Sequence, residues 1–183
     1  MKKLMIMLAA VAMAVGAQAA SVNWTCTYVY NGNETQPVSG VAYFLTTDML
    51  SYDAAQGLAG KGADAITAAL GSAYSYQGTE GSFTVKSANA VANATLGLKD
   101  GSDYTAYLMI FNAATVEDAT GFYLTTTKSL STYSGADDSV KVSWGNQYDN
   151  TIVAGNWAAV PEPTSGLLML VGLAGLALRR RRA

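Results

Sequence analysis

The sequence predicts a mainly β fold, either an antiparallel β-sandwich or a partly open barrel, with one or two short helices and a C-terminal transmembrane helix. Three observations predict it. Several stretches alternate apolar and polar residues, which puts every second side chain on one face of a strand. Tyr104 to Phe111 (YTAYLMIF) is apolar almost throughout, as expected of a strand covered on both faces. Gly, Asn, Asp and Ser separate these stretches, so strands alternate with turns rather than with long helices.

Taken in order, residues 1–19 begin with Lys2 and Lys3, continue through an apolar run of 12 residues from Leu4 to Val15, and end with Ala17 and Ala19 around Gln18. This pattern predicts a secretory signal peptide cut by signal peptidase after Ala19, because the run is shorter than the ~20 residues that span a bilayer comfortably. An uncleaved N-terminal anchor is the alternative. The extracytoplasmic β-rich domain is then expected over residues 20–159.

Val22 to Tyr30 is the first predicted strand, running into Asn31-Gly32, a dipeptide that tolerates the positive φ angles of a tight hairpin. Val41 to Thr46, Phe83 to Lys86, Gly121 to Thr127 and Val140 to Trp144 follow, with Tyr104 to Phe111 as the central strand. Thr151 to Trp157 reads as a last, weaker strand. In GADAITAALG, Ala63, Ile66, Thr67 and Leu70 recur at helical spacing, with Asp64 at the positive end and Gly71 placed to stop the helix. Asp48 to Gln56 is a second, shorter candidate before Gly57, Gly60 and Gly62.

Charge narrows the function. Half of the residues are hydrophobic and 13% are charged. Between Ala20 and Val160, twelve acids stand against five lysines, a net charge of −7, and there is no arginine. Such a domain has little to offer a phosphate backbone, so nucleic acid is not an expected partner. The chain has no histidine and one cysteine, Cys26, which alternates in phase with Val22, Trp24 and Tyr28 and reads as a small buried hydrophobe. Ser-His-Asp triads, Cys-His pairs and the usual zinc sites therefore lack their residues. No catalytic residue, cofactor or metal site is predicted.

Weaker possibilities remain open on the residues. Asp100, Asp103, Asp137, Asp138 and Asp149 lie near predicted turns, where they could form a glycosidase carboxylate pair or simply sit in solvent. Lys99 to Asp103 could offer oxygens to calcium but does not follow the EF-hand spacing. All eleven tyrosines and all three tryptophans fall in the middle of the chain, either as core or as a platform for sugar rings. Asn23, Asn33 and Asn93 head N-glycosylation patterns that also arise by chance.

The chain ends in VPEPTSGLLMLVGLAGLALRRRRA. Gly166 to Leu178 is 13 residues without a charge, which at ~1.5 Å per residue is short of a ~30 Å hydrocarbon core. Thr164 and Ser165 extend the predicted transmembrane helix to about 164–178, and arginine stems can lie along its apolar surface. Arg179, Arg180, Arg181 and Arg182 hold that end in the cytoplasm, giving an N-outside, C-inside orientation with membrane lipid around the helix. Pro161 and Pro163 keep the entry extended and display Glu162 just outside the membrane.

Together Pro161-Glu162-Pro163, the short Gly- and Leu-rich span and the arginine cluster resemble the PEP-CTERM sorting signal of Gram-negative bacteria. The resemblance covers residues 160–183. It implies processing by exosortase, a membrane-embedded cysteine peptidase that cuts near the motif, and passage from an inner-membrane-anchored intermediate to the cell surface or extracellular matrix. It further implies an association with exopolysaccharide and biofilm. The expected role is thus that of an exported, non-enzymatic structural or adhesive protein. A carbohydrate-binding module is the alternative, and a surface glycosidase a third reading.

Overall fold

The computed structural model describes residues 20–31, 36–133, 138–145 and 157–161. The expected signal peptide over residues 1–19, the expected transmembrane helix over about 164–178, the basic residues 179–182 and most of Thr151 to Trp157 lie outside the described residues. Within them the chain forms β1 (Ser21–Cys26), β2 (Tyr30–Asn31), β3 (Gln36–Pro37), β4 (Gly40–Thr46), α1 (Tyr52–Gln56) and α2 (Ala63–Leu70). Then follow β5 (Ser75–Gly78), β6 (Val91–Ala92), β7 (Asp103–Phe111), β8 (Gly121–Leu124), β9 (Lys128–Ser131), β10 (Ser139–Trp144) and β11 (Ala158–Ala159).

The apolar strand Tyr104 to Phe111 is central, as its composition predicts. It forms most of β7, which pairs with β4 along one side, while β8 and β9 follow one another along the other. The large sheet runs β11-β8-β7-β4-β5, with β9 joined to β7, and a small sheet runs β10-β1-β6. Neither closes into a barrel.

Burial explains why β4 and β7 are apolar on both sides. One face of the large sheet, through Phe44, Leu108 and Ile110, packs on Val22, Trp24, Val142 and Trp144 of the small sheet. The other face, through Leu45, Tyr107, Met109 and Phe111, is covered by Ala55 of α1 and by Ala63, Ile66 and Leu70 of α2. The molecule is therefore layered as small sheet, large sheet and helices, a sandwich with one outer face closed by helix. Gly40 makes the close approach of β4 to the end of β7 possible, since a Cβ there would lie 2.1 Å from the Phe111 carbonyl oxygen.

Both predicted helices form, the shorter one only from Tyr52, because Asp48 and Met49 lie in a turn that precedes the Ser51 cap. Ser51 caps α1, its hydroxyl accepting from the Ala54 N–H at 3.2 Å, and Gly57 ends it. Gly71 stops α2 at φ 54°, donating to the Thr67 carbonyl. Thr67 itself is exposed, so the buried stripe is Ala63, Ile66 and Leu70 alone.

The strand pattern departs from expectation in specific places. β1 stops at Cys26, and Tyr28 has a positive φ of 63°, which bends the chain before Val29. Tyr30–Asn31 then pairs with Gln36–Pro37, so Asn31 ends a strand and the connection, residues 32–35, lies outside the described residues. Phe83 to Lys86 is a bridge rather than a full strand. Val85 exchanges backbone hydrogen bonds with Trp24 at 2.9 and 3.1 Å, and β6 resumes pairing at Val22 after the 3₁₀ turn Ser87–Asn89 takes up the extra residues. Gly121 to Thr127 yields a strand only as far as Leu124. Finally, β1 and β10 pair in parallel, from Ser21↔Ser139 to Cys26↔Trp144. The long intervening chain permits this, because no hairpin joins them.

Candidate functional site

The sequence-predicted signals adjoin the two ends of the described domain. At the C-terminal end, Trp157 donates its indole N–H to the Tyr30 carbonyl at 3.4 Å and rests 6.2 Å from the Tyr123 ring. Ala158 and Ala159 pair antiparallel with Phe122 and Gly121. The Ala159 carbonyl accepts from Gly60 N–H at 2.9 Å, and Val160 donates to the Thr120 carbonyl at 3.1 Å. Val160 is buried and Pro161, the next residue, is exposed. The chain is thus fixed to the sheet up to the first residue of the Pro-Glu-Pro triplet. Glu162, Pro163 and Arg179 to Arg182 lie outside the described residues, as do Ala17 and Ala19.

Of the acidic candidates, Asp100 and Asp103 share one loop and Asp138 lies immediately before β10. Asp100 accepts a 2.7 Å hydrogen bond from the Asn93 side-chain amide. Asp103 opens β7 opposite Ser131, and Asp138 is exposed, its backbone carbonyl accepting from Ser21. Asp137 and Asp149 lie outside the described residues. Among the described residues no three acidic or thiol groups converge where they could hold a metal ion.

The Lys99–Asp103 loop is organised by the protein itself. Buried Thr132 accepts from Ser102 N–H at 2.9 Å, and its hydroxyl lies 2.7 Å from the Lys99 carbonyl. The Tyr104 hydroxyl accepts from Lys99 N–H at 2.8 Å.

Cys26 is fully buried, and burial pushes its thiol up to about 12. It is the small apolar residue its alternation predicts, poorly suited to nucleophilic chemistry because the thiolate is suppressed. Asn23 and Asn93 are also buried, so these two glycosylation patterns fall on side chains packed in the fold.

The aromatic residues divide into core and cleft. Trp24 and Trp144 are core residues, each 1% exposed, whose indole N–H groups bond the Phe83 and Thr126 carbonyls. Tyr107 is buried, its hydroxyl donating to the Leu50 carbonyl at 2.7 Å, and burial followed by the nearby Tyr52 pushes its phenol up to about 12. Beside the large sheet, a cleft of about 370 Å³ is lined by Tyr52, Gln56, Phe122, Tyr123, Leu124, Thr126 and Ala158. Its volume falls at the lower end of the range for small-ligand sites. Tyr52 and Tyr123 are half-buried, while Gln56 and Thr126 are exposed, so rings and polar groups share one concavity. The lining residues come from α1, β8, the segment after β8 and β11. No short sequence motif announces them.

The PEP-CTERM protein-sorting motif family matches residues 159–182. No curated protein and no solved structure matches the chain. The matched segment begins inside β11, so the sorting motif and the folded domain share Ala159 and Val160. This motif supports exosortase-dependent sorting of an exported protein through a membrane-anchored intermediate to the surface.

Proposed function

We propose that the domain is displayed at the cell surface or in the extracellular matrix as a structural or adhesive element without catalytic turnover. Signal peptidase removes residues 1–19, the C-terminal helix holds the intermediate N-outside and C-inside, and exosortase acts at Pro161 to Pro163. The observation that carries the reading is the sorting motif at 159–182 joined directly to the last strand. From Pro161 to Gly166 the chain can reach at most about 18 Å, which keeps the domain close to the bilayer while the helix is embedded. The motif supports sorting, and the association of proteins bearing such a tail with exopolysaccharide is what suggests an adhesive role.

The test replaces Pro161-Glu162-Pro163 with three alanines in the producing cell and follows the protein by fractionation. The expected outcome is an unprocessed chain trapped in the inner membrane. Processing and location identical to wild type would overturn the sorting reading.

The cleft favours a second reading, in which the domain binds a carbohydrate of the matrix. Tyr52 and Tyr123 bring aromatic side chains to the lining for a sugar to pack against, and Gln56 and Thr126 bring hydrogen-bonding groups for its hydroxyls. Release of new reducing ends from the polymer would instead indicate a glycosidase.

A further inference from the structure

Ala20, the residue that follows the predicted signal-peptidase site, is built into the fold. Its side chain is 2% exposed, and its carbonyl accepts the Asn93 backbone N–H at 2.9 Å, one step beyond the Ser21↔Ala92 pair of β1 and β6. Asn93 is itself 2% exposed, and three of its polar groups are engaged. Its N–H bonds Ala20, its carbonyl accepts from Leu98 at 2.8 Å, and its amide Nδ2 donates to Asp100 at 2.7 Å. Its remaining acceptor, Oδ1, has no partner, the one buried side-chain polar atom among the described residues of which this is so. A buried carbonyl oxygen left without a donor is costly.

We propose that Asn93 and Asp100 form the receiving site for the α-ammonium group that signal peptidase creates at Ala20. Cleavage of the Ala19–Ala20 peptide bond by water releases the carboxylate of Ala19 and converts the amide nitrogen of Ala20, a single N–H donor, into an ammonium with three. Asn93 is the residue that bonds Ala20 through its backbone N–H, and its buried Oδ1 is the acceptor left for the new charge. The Asp100 carboxylate, held by the same Asn93 side chain, supplies the opposite charge. Maturation then tightens the small sheet at its first residue, because a charge-assisted hydrogen bond replaces an orphaned acceptor. The inference rests on the reading of residues 1–19 as a cleaved export signal.

The test compares the exported wild-type chain with one carrying a glycine inserted between Ala19 and Ala20, which moves the new terminus one residue outward. Mass spectrometry first identifies the N-terminus. A start other than Ala20 in the wild type would overturn both the cleavage reading and this inference. With Ala20 confirmed, the insertion is expected to lower the melting temperature by about 3–6 °C. Asp100→Asn is expected to shrink that difference markedly. Independently of how Asp100→Asn folds, the wild-type terminus should react with an α-amine-selective aldehyde roughly tenfold more slowly than the inserted one. Equal melting temperatures and equal reactivities in the two chains would overturn the inference while leaving the cleavage reading intact.

Discussion

Val160 donates its backbone N–H to the Thr120 carbonyl across 3.1 Å, and this bond is made one residue before the exposed Pro161. With the Gly60–Ala159 bond and the two-residue pair to β8, it fastens the start of the sorting segment to the large sheet. The buried Val160 side chain holds this short attachment in place, since two residues of ladder contribute little by themselves.

Val160→Ala removes buried methyl groups, a change expected to cost about 2 kcal/mol. Local opening should bear most of that loss, because the attachment lies at the end of the domain. Chymotrypsin, which cleaves after aromatic residues, would then reach Trp157 at least tenfold faster in Val160→Ala than in wild type. Equal digestion rates would show that β11 is held by something other than this side chain.

Trp24 joins the two sheets by ring contacts and holds the Phe83 segment beside β1 by one hydrogen bond. Its ring lies 5.2 Å from Phe44, 6.0 Å from Tyr74 and 6.4 Å from Tyr76, and its N–H satisfies the buried Phe83 carbonyl at 3.0 Å. Trp24→Phe keeps an aromatic ring but leaves that carbonyl without its donor. The expected loss is about 3 kcal/mol, read as a lower urea midpoint with an unchanged m-value. A midpoint equal to that of wild type would mean that the core repacks and water satisfies Phe83.

These residues also show how far the sequence could be read. Trp24, Cys26 and Val22 announce one buried face by alternation, and Tyr107 to Phe111 announce a doubly covered strand because both their faces are apolar. β5, β6 and β9 give no such signal. Ser75–Gly78 has one large apolar side chain, the half-buried Tyr76, Val91–Ala92 is two residues long, and Lys128–Ser131 buries Leu130 alone. Their strand character comes from pairing with neighbours, which no local pattern records. The parallel match of β1 with β10 is likewise a long-range property. At the site, the Pro-Glu-Pro triplet is legible because it is contiguous. The cleft is not, because Tyr52, Gln56 and Tyr123 meet only through folding.

The buried thiol makes a prediction about alkaline stability. Cys26 is raised from an ordinary value of 9.0 to about 12 by burial. Below about pH 9 the thiol is protonated in folded and unfolded chains alike, so it adds no pH dependence. Between 9 and 12 only the unfolded chain gives up this proton, so stability falls as pH rises, by about 1.4 kcal/mol per pH unit well inside that window. Buried Tyr107, also raised to about 12, acts in the same direction from its own ordinary value of 10.0. Urea unfolding at pH 8, 9, 10 and 11 should therefore show Cys26→Ala losing stability less steeply than wild type, whatever the cost of the substitution at pH 8. Parallel curves would mean that the thiol ionises without opening the fold.

The cleft makes the last prediction, on the carbohydrate reading. Trp157 lies against Tyr123, and Tyr123 lines the cleft, so a bound sugar should alter tryptophan fluorescence when the chain is titrated with the polysaccharide of its own matrix. Tyr123→Ala removes one ring face and should weaken binding about tenfold. Gln56→Ala removes an amide from the exposed rim and should weaken it by about three- to tenfold, with little effect on folding. Tyr133 is 50% exposed and is not among the residues lining the cleft, so Tyr133→Ala serves as the control and should bind as wild type does. Calorimetry on the same variants separates loss of binding from loss of the fluorescence signal. If Tyr133→Ala weakens binding as much as Tyr123→Ala does, the sugar sits on the open surface and the cleft assignment fails. If wild type gives neither heat nor fluorescence change with the native polymer, the domain acts as a structural element without a glycan site.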